Sequence, residues 1–444
     1  MNQVETFNRP IYIGIIGLGT VGTGAYKILT RNNQLIKKRL GVPLEIKRIA
    51  DLDLDSDRGI PSLNKDLLTT DAYKVIDDPE IDIAVELIGG LEPAKTFILR
   101  ALDKGKHVVT ANKALLAHYG HEIFQKASHA SLDVGFEASV GGGIPIIRAI
   151  REGFAANNIE AIYGIVNGTA NYILSKMTNE GGDFTQVLEE AQRKGYAEQD
   201  PSLDIEGIDS AHKITILASL AFGANIPLSR VYTEGIAAIS PLDIQYARHL
   251  GYRIKLLAIA KRVGEEIDIR VHPTLLPQET PLANVDNILN ALYIVGDAVG
   301  KNMFVGEGAG AMPTGSAVVG DIIEVSRNIL RGQGGRVPAL GVLNPLIADC
   351  PIRKIGEIRS EYYLRFMAVD QPGVLARISG ILGDHSISIA SVLQKDREPK
   401  EGVPVVMMTH EALEKDIQLA LKKIDQLEVV LARTTLIRAE RDIS

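Results

Sequence analysis

Residues 11–22 read Ile11-Tyr12-Ile13-Gly14-Ile15-Ile16-Gly17-Leu18-Gly19-Thr20-Val21-Gly22, and this stretch decides the fold. A short β-branched run bounded by glycines is a buried strand. The G-x-G-x-x-G that follows opens a helical pattern from Val21 to about Leu40. In a strand-turn-helix unit Gly17 permits the tight turn, Gly19 lets backbone approach a pyrophosphate, and Gly22 lets helix pack on strand. Thr20 and Val21 add the N–H groups of the helix start, whose partial positive charge suits that anion. Asp51 closes a second strand at 44–50 and offers the ribose hydroxyls of NAD a carboxylate. Lys47, Arg48 and Arg58 stand nearby and suit the 2′-phosphate of NADP, so the residues admit NADP or NAD.

Outward from the loop, strand-like residues at 75–78, 81–88 and 106–110 alternate with a helical run at 94–104. Such alternation builds right-handed βαβ units and a parallel sheet. The expected fold is an α/β Rossmann domain, residues 1–135, and then two further domains. Glycine-rich Phe136–Ile147 marks a hinge into 136–331, an α+β catalytic and dimerisation domain with a mostly antiparallel sheet. Its helical stretches are read at 184–194, 209–222 and 241–261. A helix at about 316–331 is expected to pack back on the Rossmann domain. Residues 332–358 read as a linker. The last part, 359–444, has the order βαββαβ, a ferredoxin-like arrangement, with its final strand at 427–437.

A net charge of −7 and the lack of a basic run exclude a nucleic-acid backbone as partner. No run reaches about 18 consecutive apolar residues, so no membrane span is expected. The opening MNQVETFNRP lacks the basic-then-apolar pattern of a secretory leader. One cysteine, Cys350, precludes an internal disulfide framework and suits a reducing cytoplasm. His118 and His121 stand at i,i+3 with no third ligand in a known pattern, which reads as surface.

Four further stretches carry chemistry: Thr110-Ala111-Asn112-Lys113-Ala114-Leu115-Leu116; Asn167-Gly168-Thr169-Ala170-Asn171-Tyr172; Gly195-Tyr196-Ala197-Glu198-Gln199-Asp200-Pro201-Ser202-Leu203-Asp204; and Gly207-Ile208-Asp209 with Lys213. Asp209 and Lys213 at i,i+4 share a helix face, and the helix continues apolar. Reducing an aldehyde needs hydride at carbon and a proton or positive charge at the developing alkoxide, which an ammonium supplies. As a surface ion pair the two would be worth only a few tenths of a kcal/mol.

With Phe136–Ile147, these stretches resemble the homoserine dehydrogenase family from residue 11 to about 330. The resemblance implies reversible NAD(P)-dependent interconversion of L-homoserine and L-aspartate 4-semialdehyde, in threonine, methionine and isoleucine biosynthesis. It implies Lys213 as proton donor and Lys113 between cofactor and substrate, with Thr110 beside the cofactor. Glu198 and Asp209 would hold the substrate's amino group and hydroxyl. It also implies a monovalent cation, Na+ or K+, held at the hinge by Glu137, Val140, Gly142 and Ile144 through one carboxylate and backbone carbonyls. Asp370-Gln371-Pro372-Gly373-Val374-Leu375 resembles the D-x-P-G-x-L loop of ACT domains. Asp370, Gly373, Val374 and Leu375 are then the effector set, with threonine as expected effector and loss of the ligand site the alternative. A monofunctional, cytoplasmic homodimer or homotetramer is expected. Oxidation of the same semialdehyde to an acyl phosphate would need a thiolate, and Cys350 lies in the linker. A purely sensory Rossmann-plus-ACT protein would not require the Lys113, Glu198, Asp209 and Lys213 constellation.

Overall fold

The computed structural model describes residues 9–61, 63–394, 402–441 and 443; the opening residues 1–8, read above for a leader, lie outside the described residues. The chain forms two compact units. One contains residues up to Ile162 with 212–229 and 290–350, and the other 163–211, 230–289 and 351–444.

In the first unit six strands, β1 (Ile11–Ile16), β2 (Leu44–Ala50), β3 (Leu68–Thr69), β4 (Ile83–Glu86), β5 (His107–Thr110) and β6 (Val134–Gly135), pair in parallel in the order β3-β2-β1-β4-β5-β6. The expected helix from Val21 to Leu40 is two helices, Thr20–Arg31 and Asn33–Leu40, parted at Asn32 (φ −101°, ψ 15°). Residues 75–78, expected as strand, instead end a short helix, Tyr73–Ile76, whose start is fixed by Asp71 accepting from the Tyr73 N–H. The helix expected at about 316–331 runs Ala311–Leu330. Its Val318, Val319, Ile322 and Val325 are buried in one core with Ile13, Ile15, Ala25 and Leu29. Backbone meets backbone there: a Cβ on Gly24 would run into the Ala311 carbonyl, and one on Gly315 would lie 2.7 Å from the Ala25 nitrogen. Residues 332–350 pack on this unit, with Gly335 N–H on Asp133 (3.1 Å) and Asn225 N–H on the Ala348 carbonyl (3.0 Å).

The remaining strands in chain order are β7 (Ile159–Ile165), β8 (Tyr232–Thr233), β9 (Tyr252–Val263), β10 (Glu266–Pro277), β11 (Leu289–Gly296), β12 (Gly300–Glu307), β13 (Arg359–Ala368), β14 (Ile389–Gln394), β15 (Val403–Thr409), β16 (Ala412–Leu413) and β17 (Thr435–Ala439). The second unit carries a mixed, mostly antiparallel sheet running β9-β10-β17-β13-β15-β14, in which only the β10–β17 neighbours are parallel. Short β8 joins β10 in parallel and β16 joins β13. The expected helix at 241–261 is corrected: Pro241–His249 is helical, Gly251 turns with φ +83°, and 252–263 is strand β9. Nearly all of Tyr252–Ala260 is buried, so the run lacks the alternation that marks a half-exposed strand.

Residues 359–439 follow the expected βαββαβ order, with helices Val374–Asp384 and Glu414–Ile424 packed on Tyr362, Leu364, Phe366 and Met407. The final strand starts at Thr435 rather than 427, because Asp425 takes the Thr434 N–H and hydroxyl and holds the approach in a turn.

Candidate active site

Strand order reverses between β1 and β4, and ligands of open α/β sheets bind beyond the strand ends at such a switch point. Gly17 turns there with φ +101°, and a Cβ on it would lie 2.8 Å from the Leu87 carbonyl beyond β4. A Cβ on Gly22 would run into the Gly17 carbonyl. Gly19 is different: nothing lies within 4 Å of its Cβ position, and Gly19 and Thr20 are exposed, with Val21 half-buried. The loop is therefore open where a pyrophosphate would approach, and these residues fit a dinucleotide.

Asp51 follows β2 and turns toward this loop. One carboxylate oxygen accepts from the Leu18 N–H, and the other from the Asp53 N–H (2.9 Å) and Arg58 Nη2 (3.1 Å). Arg58 Nη1 also donates to the Leu18 carbonyl (2.6 Å). Thus the acid meant for the ribose is already engaged, with a guanidinium beside it.

Thr110 ends β5 and donates its hydroxyl to Glu86 at the end of β4 (2.7 Å). Glu86 also accepts from the Ile88 and Gly89 N–H groups, and Thr110 Oγ1 accepts from the Asn112 N–H. Burial raises the Glu86 carboxyl above the usual carboxylate range. Asn112 caps helix Lys113–His129 through the Leu115 N–H (3.0 Å) and donates to the Gly90 carbonyl (2.7 Å). Lys113 is the first residue of that helix, so the network fixes its backbone. Sequence reasoning missed Glu86; an acid set between apolar Val85 and Leu87 in the run 81–88 was the available signal.

Helix Ile208–Phe222 carries Asp209 and Lys213 one turn apart, 5% and 7% exposed. A solvated surface pair is thereby ruled out. Asp209 belongs to the second unit and Lys213 to the first. In the second unit Asn167 Nδ2 donates to Asp209 (2.9 Å) and Asp204 (2.7 Å). Glu198 lies exposed in the loop before helix Ser202–Ile205, its carbonyl accepting from Gln192 Nε2 (3.1 Å). Among the described contacts it stands apart from the Asn167 cluster.

At the hinge, Glu137 is buried and its carboxylate accepts from the Ile147 N–H (2.8 Å) and Arg148 N–H (2.9 Å). Val140 and Ile144 are buried, and Gly141 and Gly142 turn with φ +74° and +55°. Burial, then the neighbouring Asp321 charge, pushes Glu137 up to about 7. The Glu137 side chain is thus spent on a helix start, and the Ile144 carbonyl accepts from the Ile146 N–H (2.8 Å). Among the described residues no three His, Cys, Asp or Glu side chains gather to hold a metal ion. In the C-terminal domain Gly373, φ +90°, begins helix Val374–Asp384, with Val374 buried and Asp370 and Leu375 exposed.

A nicotinamide dinucleotide fits the open loop at the switch point, and the protein is an NAD(P)-dependent oxidoreductase with an ACT domain. Family models match as homoserine dehydrogenase, NAD binding domain, over residues 17–137, homoserine dehydrogenase over 145–323, and ACT domain over 362–429. Homoserine dehydrogenase of Pseudomonas aeruginosa is 46% identical, covering 98% of this chain and 99% of its own. The crystal structure of a homoserine dehydrogenase from Thiobacillus denitrificans is 49% identical, with TM-score 0.92 over 98% of this chain and 99% of that one. A hyperthermophilic archaeal homoserine dehydrogenase in complex with NADPH is 28% identical, with TM-score 0.61 over 71% of this chain and 98% of that one. The chain belongs to the homoserine dehydrogenase family, which interconverts L-homoserine and L-aspartate 4-semialdehyde. Among the described residues, no helix is long and apolar enough to cross a membrane.

Proposed function

We propose that Lys213 is the proton donor and acceptor at the substrate oxygen, with Asp209 and Glu198 on the substrate side and Lys113 beside the cofactor. The observation that carries this is the burial of Asp209 and Lys213 one turn apart on helix Ile208–Phe222. Burying charged groups is costly unless they are paired or used, which argues against a decorative surface pair. When bound, nicotinamide exchanges hydride with the alcohol carbon. The chain's own contribution is to hold the amino acid by its ammonium, and to receive the hydroxyl proton at Lys213 Nζ as the carbonyl forms. The test is an absorbance assay of purified protein: L-homoserine should drive reduction of NAD(P)+, and none with cofactor bound would overturn the reading.

The cofactor is NADP(H) in preference to NAD(H). Arg58 supports this, because it neutralises Asp51 and sets a guanidinium at the ribose end of the loop. The archaeal relative in complex with NADPH agrees. Threonine is the effector, bound at Asp370, Gly373, Val374 and Leu375, where a left-handed glycine at a helix start lets a small ligand approach backbone. Calorimetry should register L-threonine on the whole protein and lose it in Asp370→Ala; binding unchanged in that variant would move the site elsewhere.

A Na+ or K+ ion sits at the turn of Glu137, Val140, Gly142 and Ile144, held by backbone carbonyls with the Glu137 charge close by. Melting at pH 8 should be higher in Na+ or K+ than in tetramethylammonium at equal ionic strength. Equal values would remove the ion. The domain limits are those read from the sequence, with residues 332–350 packed on the first unit. The protein works as a homodimer or homotetramer, in a cytoplasm that keeps Cys350 reduced. Exposed Val305 on β12 and Val392 on β14 support association, and light scattering of the eluted protein distinguishes the states.

A further inference from the structure

We infer that Glu86 is a positioning residue for the nicotinamide half of the cofactor, holding the bare turn 88–90 and the start of helix Lys113–His129 in place beside the glycine loop. The inference rests on the cofactor lying at the switch point with Lys113 beside it, as proposed above, and adds Glu86 to that site.

The strand order sets the direction in which a dinucleotide lies. Asp51 and Arg58 mark the adenosine ribose end beyond β2, on one side of β1. The other half of the molecule then crosses to the ends of β4 and β5. There Glu86 stands opposite Thr110 in the parallel ladder and is 1% exposed. Val85 and Val109 beside them are fully buried. An acid in such company is costly unless its oxygens are bonded, so its presence needs a reason beyond packing.

That reason is what the acid joins. Its Oε1 accepts from the Ile88 N–H (2.9 Å) and the Gly89 N–H (3.2 Å), and its Oε2 from the Thr110 hydroxyl (2.7 Å). Asn112 closes the circuit: its N–H donates to Thr110 Oγ1 (3.0 Å) and its side-chain amide to the Gly90 carbonyl (2.7 Å). One carboxylate thus ties the exit of β4 to the exit of β5. Asn112 Oδ1, capping the helix that begins at Lys113, passes the constraint on.

The turn so held is nearly free of side chains. Gly89 and Gly90 both have φ +73° and are exposed, and a Cβ on Gly89 would meet no atom within 4 Å. Ile88 is exposed too, and its Cγ2 methyl lies 2.9 Å from a Cβ placed on Gly17. The turn is therefore contiguous with the glycine loop, open toward solvent and fixed from its buried side. A turn fixed in advance lowers the ordering cost of binding, and a reacting group misplaced by about 1 Å costs about a hundredfold in rate.

Glu86→Ala removes the bonds to Ile88, Gly89 and Thr110 and leaves Asp51 and the glycine loop unaltered. Calorimetry with two ligands separates the halves of the site: NADP+, and adenosine 2′,5′-bisphosphate, which lacks the nicotinamide. In Glu86→Ala the Kd for NADP+ should rise about tenfold, while the Kd for the bisphosphate stays within about twofold. In the same variant kcat with L-homoserine should fall about ten- to a hundredfold. The pair NAD+ and ADP makes the same comparison, whichever cofactor the wild type prefers. Glu86→Gln keeps an acceptor for the two N–H groups and a polar partner for Thr110, and should recover most of the affinity. Cofactor affinity within about twofold of wild type in Glu86→Ala, equal losses for both ligands, or Glu86→Gln as weak as Glu86→Ala would each overturn the assignment. Should Glu86→Ala not fold, Glu86→Asp, a methylene too short to reach the Ile88 N–H and Thr110 together, is judged by the same ratio. Wild-type turnover of L-homoserine beside any of these results leaves the proposed function standing, so the two failures are distinguishable.

Discussion

Arg438 on β17 clasps Glu414, the first residue of helix Glu414–Ile424, through Nε at 2.8 Å and Nη2 at 2.7 Å, with both side chains 1% exposed. Its Nη1 reaches Glu234 beside β8 at 2.8 Å. One guanidinium therefore ties the ACT helix to the loop after β8. Removing one partner of a buried pair strands the other, at about 3–5 kcal/mol. Arg438→Met should lower unfolding stability by that order in urea titrations. A loss under about 1 kcal/mol would show that Glu414 finds water or another donor.

Deleting residues 359–444 should not yield a desensitised enzyme. It strips β17 from β10 and leaves Lys261 and Arg270 without Glu440, their common partner. Size-exclusion chromatography should find the truncated protein aggregated or inactive. A soluble, active truncation would show that the β10 edge tolerates exposure.

For the cofactor end of the site, Arg58→Ala should raise KM for NADP+ about tenfold, the loss of one charge-assisted contact, with a smaller change for NAD+. Asp51→Ala frees Arg58 and erodes NAD+ use more than NADP+. Initial rates with both cofactors check this, and an unchanged ratio in both variants removes the pair from cofactor choice.

Lys213→Ala should lower kcat by about 10²–10⁴, the usual worth of a positioned proton-transfer group. Cofactor KM should hardly move. Near-normal kcat would take Lys213 out of the chemistry.

Burial raises Asp321 to about 6, while its Oδ2 accepts from the Glu137 N–H. Glu137 and Asp321 both keep their protons in the folded state at pH values where the unfolded chain has released them. Their contribution to stability therefore falls as pH rises from about 4 to 7. Buried His272, pushed below its ordinary value by desolvation, acts in the opposite sense, losing stability as pH falls. Asp321→Asn removes both this titration and the push of its charge on Glu137: the variant gains about 2–3 kcal/mol relative to wild type between pH 4 and pH 7. Parallel stability curves would place the Asp321 titration at its ordinary value.

The glycine loop, the parallel sheet and the ACT order were legible because each is a local pattern: a period, a turn residue or a strand-helix alternation. Strand β9 was not, since burial on both faces removes the alternation that separates strand from helix. The contacts of Asn167 and Glu86 were not legible either. Asn167 meets Asp204 and Asp209 across 37 and 42 residues, and Glu86 meets Thr110 across 24. Spacing carries no trace of such contacts. Lys213 and Asp209 were legible as a pair, but only the fold shows them buried.

Strand β17 sits inside its sheet, between β10 and β13, yet it is made after both. A ribosome delivers about 5–20 residues per second, so the Thr274–Leu275 part of the β10 edge, beyond short β8, waits on the order of ten seconds for its partner. An open edge is a template for the wrong neighbour. Lys261 and Arg270 wait for Glu440, which is translated just after β17, and Arg270 meanwhile has Asp268 beside it on the same strand. The late splice makes nascent-chain folding a race between translation and edge-to-edge pairing, run anew with every copy synthesised.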